Sequence, residues 1–560
     1  MKNNFIERYL IAFLLVALTV SCEKDFLDTR IDTQMTDVNV ESDYHVLFQF
    51  ANAPYSQLYR VANGFSAIDN NLFAVCSDEA VQTSTGYRQS TTFTKGLMTP
   101  YNNPDDLYSV CYEGIRAANY FLENSEDYKE RLSRNRDTIS DNGKQYQLDV
   151  ADLGFYRAEA HVLRAFYYYE LIKRYGDVPL VETTLSINDN TDIARSNVAD
   201  IVHFIEKEID DHLFDLQENW LKYDKNKQGR IDKAVALSIK HRTLMLFASP
   251  LYNTEGDINR WKKAAAAANE IFKLNAYSLH KKYGELFTSD QSVKSAETIW
   301  AIRLGENNSL EWKNYPINSP GGNNEITPTD NLVSAYEKLT DFDEANPYLN
   351  RDPRLGYTIA SNGSMWTGRE IQIYEGGTDD YTKPNVSRTG YYLKKFLNNN
   401  LDLVNDASKQ RSWIVFRYGE LLLSYAEAMN EAFGPDNNNG YAYTAREAVN
   451  MVRARPDVAM AEVNATGQNE MRDKIKHERR IELAFEGYRY WDLIRWKDAE
   501  EALNATLLGV VATVSGDAKV NYETIAVENR VFSAPKMYLY PISQFEIVKS
   551  NGVLIQNPGW

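Results

Sequence analysis

Apolar side chains at helical spacing recur along most of this chain, and they limit the possible folds more than any other feature. In the segment 155–175, one helical face carries apolar residues at positions i, i+3, i+4 and i+8. They are Leu163, Phe166, Tyr167 and Leu171. Gly176 suits the position just beyond a helix end, and Pro179 blocks continuation of the helix. The pattern predicts a helix that ends before Gly176.

Further helices are predicted on both sides of a stretch of different character. Their expected bounds are 232–249, 259–274, 416–432, 443–453, 470–485 and 488–503. The first two are joined by a turn around Pro250, and the alanine run 264–268 lets a neighbouring helix approach closely. Such a pair is typical of tetratricopeptide-like units. We therefore predict a mainly α fold.

Residues 290–400 differ from the helical parts, since they are crowded with Gly, Asn, Pro and Tyr, as at 320–324. The segment 297–303 is a short strand candidate, and the rest is typical of long loops with small strands. Loops of this length are uncommon in a compact domain unless they have a function. We therefore expect a helical scaffold that is interrupted by a loop-rich insert.

The N-terminus predicts export and lipidation. Lys2 and Arg8 precede an apolar run at 9–20, which is too short to span a bilayer and fits a signal peptide. The small residues before Cys22 resemble a lipoprotein cleavage box with Cys22 as the lipidated residue. An ordinary secretory signal followed by a chance cysteine is the alternative. No later segment has the apolar length of a transmembrane helix.

Composition excludes some classes of function. The formal net charge of −17 argues against nucleic acid binding, which needs a basic surface. The 37 tyrosines and nine tryptophans suit wet binding surfaces. None of the seven histidines stands with another at metal-ligand spacing, so we expect no metal site and no cofactor. Whether Cys76 and Cys111 form a disulfide stays open at this point.

Four motifs, in their order along the chain, resemble the SusD/RagB family of outer-membrane lipoproteins. They are Arg157-Ala158-Glu159-Ala160 with Tyr175-Gly176-Asp177-Val178-Pro179; Asn350-Arg351-Asp352-Pro353-Arg354-Leu355; Arg417-Tyr418-Gly419-Glu420-Leu421-Leu422 with Tyr425-Ala426-Glu427-Ala428; and Glu478-Arg479-Arg480-Ile481-Glu482-Leu483-Ala484-Phe485-Glu486-Gly487 with Trp491-Asp492-Leu493. The chain closes with Leu539-Tyr540-Pro541-Ile542 and Gln556-Asn557-Pro558-Gly559. The likeness extends from end to end.

The resemblance implies a right-handed superhelix of tetratricopeptide-like helix pairs with an irregular ligand-binding insert. It also implies a lipid-anchored protein at the outer-membrane surface, which catches oligosaccharides and passes them to a SusC-like TonB-dependent transporter as its lid. The expected regions are signal peptide 1–21, lipidated tether 22–43, N-terminal helical region 44–290, loop-rich ligand-binding region 291–415 and C-terminal helical region 416–560.

Other functions remain open beside this one. Some relatives of the RagB kind are associated with peptides, so a peptide ligand is the first alternative. A glycan-trimming surface enzyme is the second, because a catalytic pair of carboxylates depends on spatial separation and not on a sequence motif. Since the common catalytic motifs are missing, we expect a binding protein and not an enzyme.

The candidate ligand residues are aromatic rings in loops, because sugar rings stack their C–H faces on aromatic side chains beside polar groups. They are Tyr87 with Arg88, Trp312 with Tyr315, Trp366 and Tyr391. The alternative for each ring is packing on the scaffold. We interpret Arg351 and Arg354 as parts of a loop-fixing network, and the charged run 478–486 as a packed helix whose arginines reach neighbouring carboxylates.

The first prediction concerns the anchor. Cys22→Ala removes the thiol to which the acyl chains would be attached, so the variant is expected to leave the membrane fraction. Metabolic labelling with a fatty acid and membrane fractionation provide the measurement. A variant that stays membrane-bound with no partner present would show that Cys22 is not the anchor.

Overall fold

The structure is a computed structural model that describes residues 44–134, 136–139, 141, 143–186, 189, 192–288, 291–516 and 519–560. The predicted signal peptide and tether, with Cys22, lie outside the described residues. Cys76 and Cys111 are both buried and both free thiols, so they do not form the disulfide that the sequence left open.

The described chain is mainly helical, as predicted. The α-helices are α1 (Tyr44–Phe50), α2 (Leu58–Ala62), α3 (Gln89–Thr94), α4 (Tyr108–Asn124), α5 (Tyr128–Ser133), α6 (Gly143–Tyr175), α7 (Val198–His212), α8 (Trp220–Tyr223), α9 (Lys233–Ala248), α10 (Ile258–Lys273), α11 (Tyr283–Leu286), α12 (Gln291–Lys294), α13 (Ser309–Asn314), α14 (Asp330–Val333), α15 (Arg354–Thr358), α16 (Tyr418–Phe433), α17 (Ala445–Arg453), α18 (Gln468–Glu482), α19 (Tyr488–Trp496), α20 (Ala499–Asn504) and α21 (Gln544–Lys549). Short 3-10 turns lie at Ala53–Tyr55, Gly64–Ser66, Phe73–Cys76, Lys225–Lys227 and Lys536–Tyr538.

The strands form five two-stranded antiparallel sheets among the described residues. The strands are β1 (Ala80–Gln82), β2 (Thr298–Asn307), β3 (Ile326–Pro328), β4 (Ile359–Ala360), β5 (Met365–Trp366), β6 (Arg369–Glu370), β7 (Tyr392–Leu393), β8 (Lys409–Arg417), β9 (Leu507–Val514) and β10 (Val520–Glu528). The pairs are β1–β3, β2–β8, β4–β7, β5–β6 and β9–β10. The predicted strand at 297–303 is confirmed as β2. The hairpin β9–β10 was not among the predicted elements.

The predicted helix pair is confirmed as α9 and α10, which pack against each other. Asp232 caps α9 by accepting a hydrogen bond from Val235 N at 3.1 Å, and Asp257 caps α10 in the same way from Asn259 N at 2.9 Å. Helix α10 also packs on α16, and α16 packs on α17 and α18. Gly176 has φ +72°, as a residue just past the end of a helix needs. The superhelical arrangement of the pairs stays a prediction.

One predicted helix is divided in two. The segment 488–503 forms α19 and α20, because Lys497 adopts a left-handed φ of +65° and ends α19. A lysine in this conformation breaks the helical hydrogen-bond pattern that the apolar spacing alone suggested.

The described chain contains two compact units. Of the described residues, one unit comprises those in the ranges 44–50 and 124–150, and within it Arg136 Nη2 lies 2.8 Å from Asp149 Oδ2. The other comprises Ala51–Glu123 and Ala151–Trp560, and it holds a continuous hydrophobic core of helix, strand and loop residues. All features below belong to this larger unit.

A buried network of charges connects three of the sequence motifs. The Glu482 carboxylate accepts hydrogen bonds from Arg354 Nη1 at 3.0 Å, Arg417 Nη1 at 2.9 Å and Arg455 Nη2 at 2.9 Å. All four side chains are fully buried. Arg417 also donates to Glu486 at 2.7 Å. The charged run of the fourth motif is therefore structural, as predicted.

The turn of the second motif is fixed in the same way. Arg354 pairs with Asp352 at 2.7 Å, and Arg351 Nη2 donates to Val333 O at 2.8 Å. Neither guanidinium faces solvent, since both side chains are buried. The prediction of a loop-fixing network, instead of a grip on an anionic ligand, is confirmed by these contacts.

The second prediction concerns this network and pH. Burial alone would raise the pKa of Glu482, but Arg455, Arg417 and Arg354 outweigh it and lower the pKa from 4.5 to about 2. A carboxylate with a lowered pKa stabilises the fold above pH 4.5, and this stabilisation is lost as the pH falls towards 2. Glu482→Gln is expected to lower stability at pH 7 by about 3–5 kcal/mol, because it removes the carboxylate that three buried arginines share.

Thermal melts between pH 7 and pH 3 provide the measurement, and the difference between wild type and variant should shrink as the pH falls. Glu523→Gln is the control, since Glu523 is an exposed carboxylate on β10. A variant that is as stable as wild type at pH 7 would contradict the structural role of Glu482.

Candidate functional site

Tyr87 lies on an exposed loop between β1 and α3, and 66% of its surface is accessible. The loop is held by Asp69, whose carboxylate accepts hydrogen bonds from Gln89 N at 2.8 Å and Ser90 N at 3.1 Å. The Tyr87 hydroxyl lies 2.9 Å from Thr92 Oγ1, and its hydrogen bonds to Thr92 and Asn102 lower the pKa of Tyr87. The ring is therefore presented to solvent by a loop that is fixed at its C-terminal end.

Trp312 lies on the short helix α13 and is 37% exposed. The edge of its indole approaches Gly321, where a Cβ would stand 3.2 Å from the ring. The next residue, Lys313, donates to Asn70 O at 2.7 Å and to Asp69 O at 3.2 Å. Helix α13 is thereby attached to the same turn that holds the Tyr87 loop.

The turn Asp69–Asn70 thus joins two elements that are far apart in sequence. Both residues have a positive φ, of 53° and 52°, which Asn and Asp adopt more readily than other residues that carry a Cβ. We refer to Asn70 and the residues attached around this turn, namely 84–88, Trp312 and Lys313, as the loop face. It combines two exposed rings with amide, hydroxyl and charged groups, and this combination suits a ligand with both apolar faces and hydroxyls.

The expectation of solvent-facing rings is wrong for Tyr315, Trp366 and Tyr391, which are all buried. Tyr315 packs edge-on against Trp366 with ring centroids 5.4 Å apart, and its hydroxyl donates to Asn398 O. Tyr391 donates to Asp330 Oδ1 at 2.7 Å. The physical reason is that these rings fill the interior of the loop region, which has no long helix to supply its core.

Comparison with known proteins places these features in a family. A family model described as "SusD family" matches residues 296–560, and one described as "Starch-binding associating with outer membrane" matches residues 25–236. The chain belongs to the SusD family. A SusD-like protein of Formosa agariphila is 26% identical over 365 residues, which cover 62% of this chain and 67% of the relative. A SusD-like protein of Bacteroides ovatus is 24% identical over 353 residues, covering 60% and 58%.

Solved structures show the same fold. A SusD-like protein from Bacteroides fragilis superposes with a TM-score of 0.74 at 24% identity, covering 94% of this chain and 99% of that one. A laminarin-binding SusD-like protein has a TM-score of 0.62 at 20% identity, covering 92% and 99%. Surface glycan-binding protein A from Bacteroides uniformis has a TM-score of 0.64 at 20% identity, with the same coverage of 92% and 99%.

A cavity of ≈430 Å³ adjoins the loop face of this SusD-family chain through Asn70. Its lining includes the exposed ring of Tyr59 and the partly buried ring of Trp491, which lies beneath the Lys173 ammonium at 4.8 Å. Sequence reasoning assigned none of these side chains to binding. Trp491 stands in a family motif, and Tyr59 lies on helix α2 and not in a polar loop of the kind that marked the other candidates.

Three potential metal ligands meet where sequence spacing predicted none. His161, Glu208 and His212 offer ligand atoms within 4.8 Å of one another. Glu208 and His212 are four residues apart on α7, a spacing that could have been noticed, but His161 comes from α6. However, Arg164 Nε already donates to Glu208 at 2.8 Å. The imidazole rings of His161 and His212 stack with centroids 3.6 Å apart. Lone pairs in the planes of two stacked rings do not point at a common metal ion. We therefore assign the cluster to packing between α6 and α7.

The third prediction separates the core of the loop region from its surface. Trp366 is completely buried, so Trp366→Ala leaves a cavity and is expected to lower the free energy of unfolding by about 3–5 kcal/mol. Trp312→Ala is the matched control, because its partly exposed ring leaves a smaller gap and should cost less. Thermal melts of both variants provide the measurement. Equal losses would show that Trp312 also belongs to the core.

Proposed function

We propose that this chain is a cell-surface binding protein that captures oligosaccharides and delivers them to a SusC-like TonB-dependent transporter, which it covers as a lid. Membership of the SusD family supports this role. So do the names of two proteins with the same fold, one described as laminarin-binding and one as glycan-binding. The loop-rich region 291–415 is proposed as the ligand-binding part, together with the Tyr87 loop.

The observation that carries the proposal is the loop face. Tyr87 and Trp312 are exposed aromatic rings on two elements held by one turn, Asp69–Asn70. An exposed ring loses hydration when a sugar's C–H face covers it, and the hydroxyls at the sugar's edge need polar partners at the rim. Arg88 and Lys313 directly follow the two aromatic residues in the chain, and we propose that Arg88 supplies such a partner. The arrangement binds without a chemical step, so we propose a binding protein and not an enzyme.

Anchoring to the outer membrane through lipidated Cys22 is part of the same proposal. One family description refers to association with the outer membrane. Within the described residues, none of the helices is long and apolar enough to cross a bilayer.

The fourth prediction tests the loop face. Trp312→Ala and Tyr87→Ala are each expected to weaken oligosaccharide binding about tenfold or more, since stacking on one ring contributes about 1–3 kcal/mol on other aromatic platforms. Calorimetric titration with oligomers selected on a glycan array provides the measurement. Phe214→Ala is the matched control, because Phe214 is an aromatic side chain with 89% exposure that lies outside the loop face.

The outcomes distinguish the alternatives. Unchanged affinity in both loop-face variants, with a loss in Tyr59→Ala, would move the site into the adjoining cavity. Binding to a peptide library and to none of the glycans would favour the peptide-binding alternative. New reducing ends during incubation would show that the protein is an enzyme.

A further inference from the structure

A second cavity, of ≈350 Å³, lies behind the loop that carries Tyr87. Residues 84–86 belong both to the loop face and to the wall of this cavity. The opposite wall comes from the end of β10 and the residues that follow it, with Arg388 between the two. A ligand bound on the loop face therefore has this cavity within reach of its substituents.

The charged side chains that line the cavity are mostly positive. Its charged lining consists of Lys95, Arg388, Arg530 and a single carboxylate, Glu528. This is an excess of two positive charges in a protein whose net charge is −17. Positive charge that is concentrated in a concave site strengthens the local potential and attracts anions.

The positively charged side chains that line the cavity differ in their hydrogen-bond partners. Arg530 is buried, and its Nε donates to Glu528 at 3.0 Å while its Nη2 donates to Ala80 O at 2.8 Å, so it holds the wall together. Arg388 donates to the carbonyls of Gln82 at 2.9 Å and Val527 at 3.1 Å.

Those two carbonyls are neutral, and Glu528 is 3.5 Å from Arg388, so the pairing of Arg388 is weaker than that of Arg530. A guanidinium has five N–H donors, and two carbonyls do not exhaust them. Lys95 is exposed at the rim, and its ammonium donates to the carbonyl of Asn529. Arg388 and Lys95 are therefore the cations that a ligand can use.

Hydroxyl groups complete the lining. Ser84 and Thr85 lie on the loop, and Thr91 lies on α3. Hydroxyl donors next to a guanidinium and an ammonium suit the oxygens of a carboxylate or a sulfate, since charge-assisted hydrogen bonds are short and strong. A neutral sugar would leave this excess charge uncompensated.

We propose that the cavity is a subsite for an acidic group, a carboxylate or a sulfate ester, carried by the oligosaccharide that binds on the loop face. The ligands of this protein are then acidic saccharides. The inference rests on the proposed function and adds the chemical class of the ligand to it.

The test uses the mature chain and a panel of hexuronate-containing and sulfated oligosaccharides. Each is paired with its neutral counterpart, made by carboxyl reduction or by desulfation. The expected result is that acidic oligomers bind at least about tenfold more tightly than their neutral counterparts, and that added salt reduces the preference. The uronate and sulfate pairs show which group the cavity accepts.

Two variants locate the preference. Lys95→Gln and Arg388→Gln should each reduce the preference for the acidic member of the pair and leave the affinity for the neutral member unchanged. Lys95 is exposed, so Lys95→Gln is expected to fold like the wild type. The test therefore stays valid even if Arg388→Gln disturbs folding. Lys273→Gln is the matched control, because Lys273 is an exposed lysine outside the cavity.

Three results would overturn the inference. Equal affinity for acidic and neutral members contradicts it and leaves the proposed function standing. A preference that survives in both variants shows that the acidic group binds elsewhere. Binding of none of the oligosaccharides, acidic or neutral, contradicts the proposed function and this inference together.

Discussion

The rest of the larger unit depends on the set of buried ion pairs around Glu482. A carboxylate that leaves water loses its hydration, and here three guanidinium groups replace that hydration with hydrogen bonds of 2.9–3.0 Å. Such a set stabilises the fold only when it is complete, since removal of one member leaves an uncompensated charge in the interior. The requirement ties α15, β8 and α18 to one another, although they are far apart in the chain.

The buried ion pairs around Glu482 give the long loops of the region 291–415 a fixed support. The loop region builds a small aromatic core of its own around Tyr315 and Trp366, and the hydroxyl of Tyr315 is bonded to a backbone carbonyl. Tyr87 and Trp312 remain outside this core, and the loop and the helix that carry them are both attached to the turn Asp69–Asn70. If Tyr87 and Trp312 bind the ligand as proposed, they can be replaced with little effect on the core.

Trp312 and Tyr315 show that the sequence did not predict which aromatic rings are exposed to solvent. Both stand in a polar stretch after a strand, and both were expected to face solvent. Residues 309–314 form a short helix, and Tyr315 directly follows it with φ −59° and ψ 144°, outside the helical region. The polar neighbours of the two rings carry no information on which ring meets Trp366, because that partner lies in another loop.

Local sequence patterns were enough to predict the mainly helical fold, the C-terminal end of α6, the approximate bounds of α9, α10, α16, α17 and α18, the strand β2 and the family, whereas α4, α7 and the first half of α6 were not predicted. These properties depend on local patterns: apolar spacing, helix caps, glycine and proline stops, and motif order. Only the tertiary structure decided which aromatic rings are exposed, which carboxylates Arg354 and Arg417 share, and that Lys95, Arg388 and Arg530 line one cavity. Burial and the pairing of charges depend on segments that meet only in the folded chain, so no local pattern encodes them.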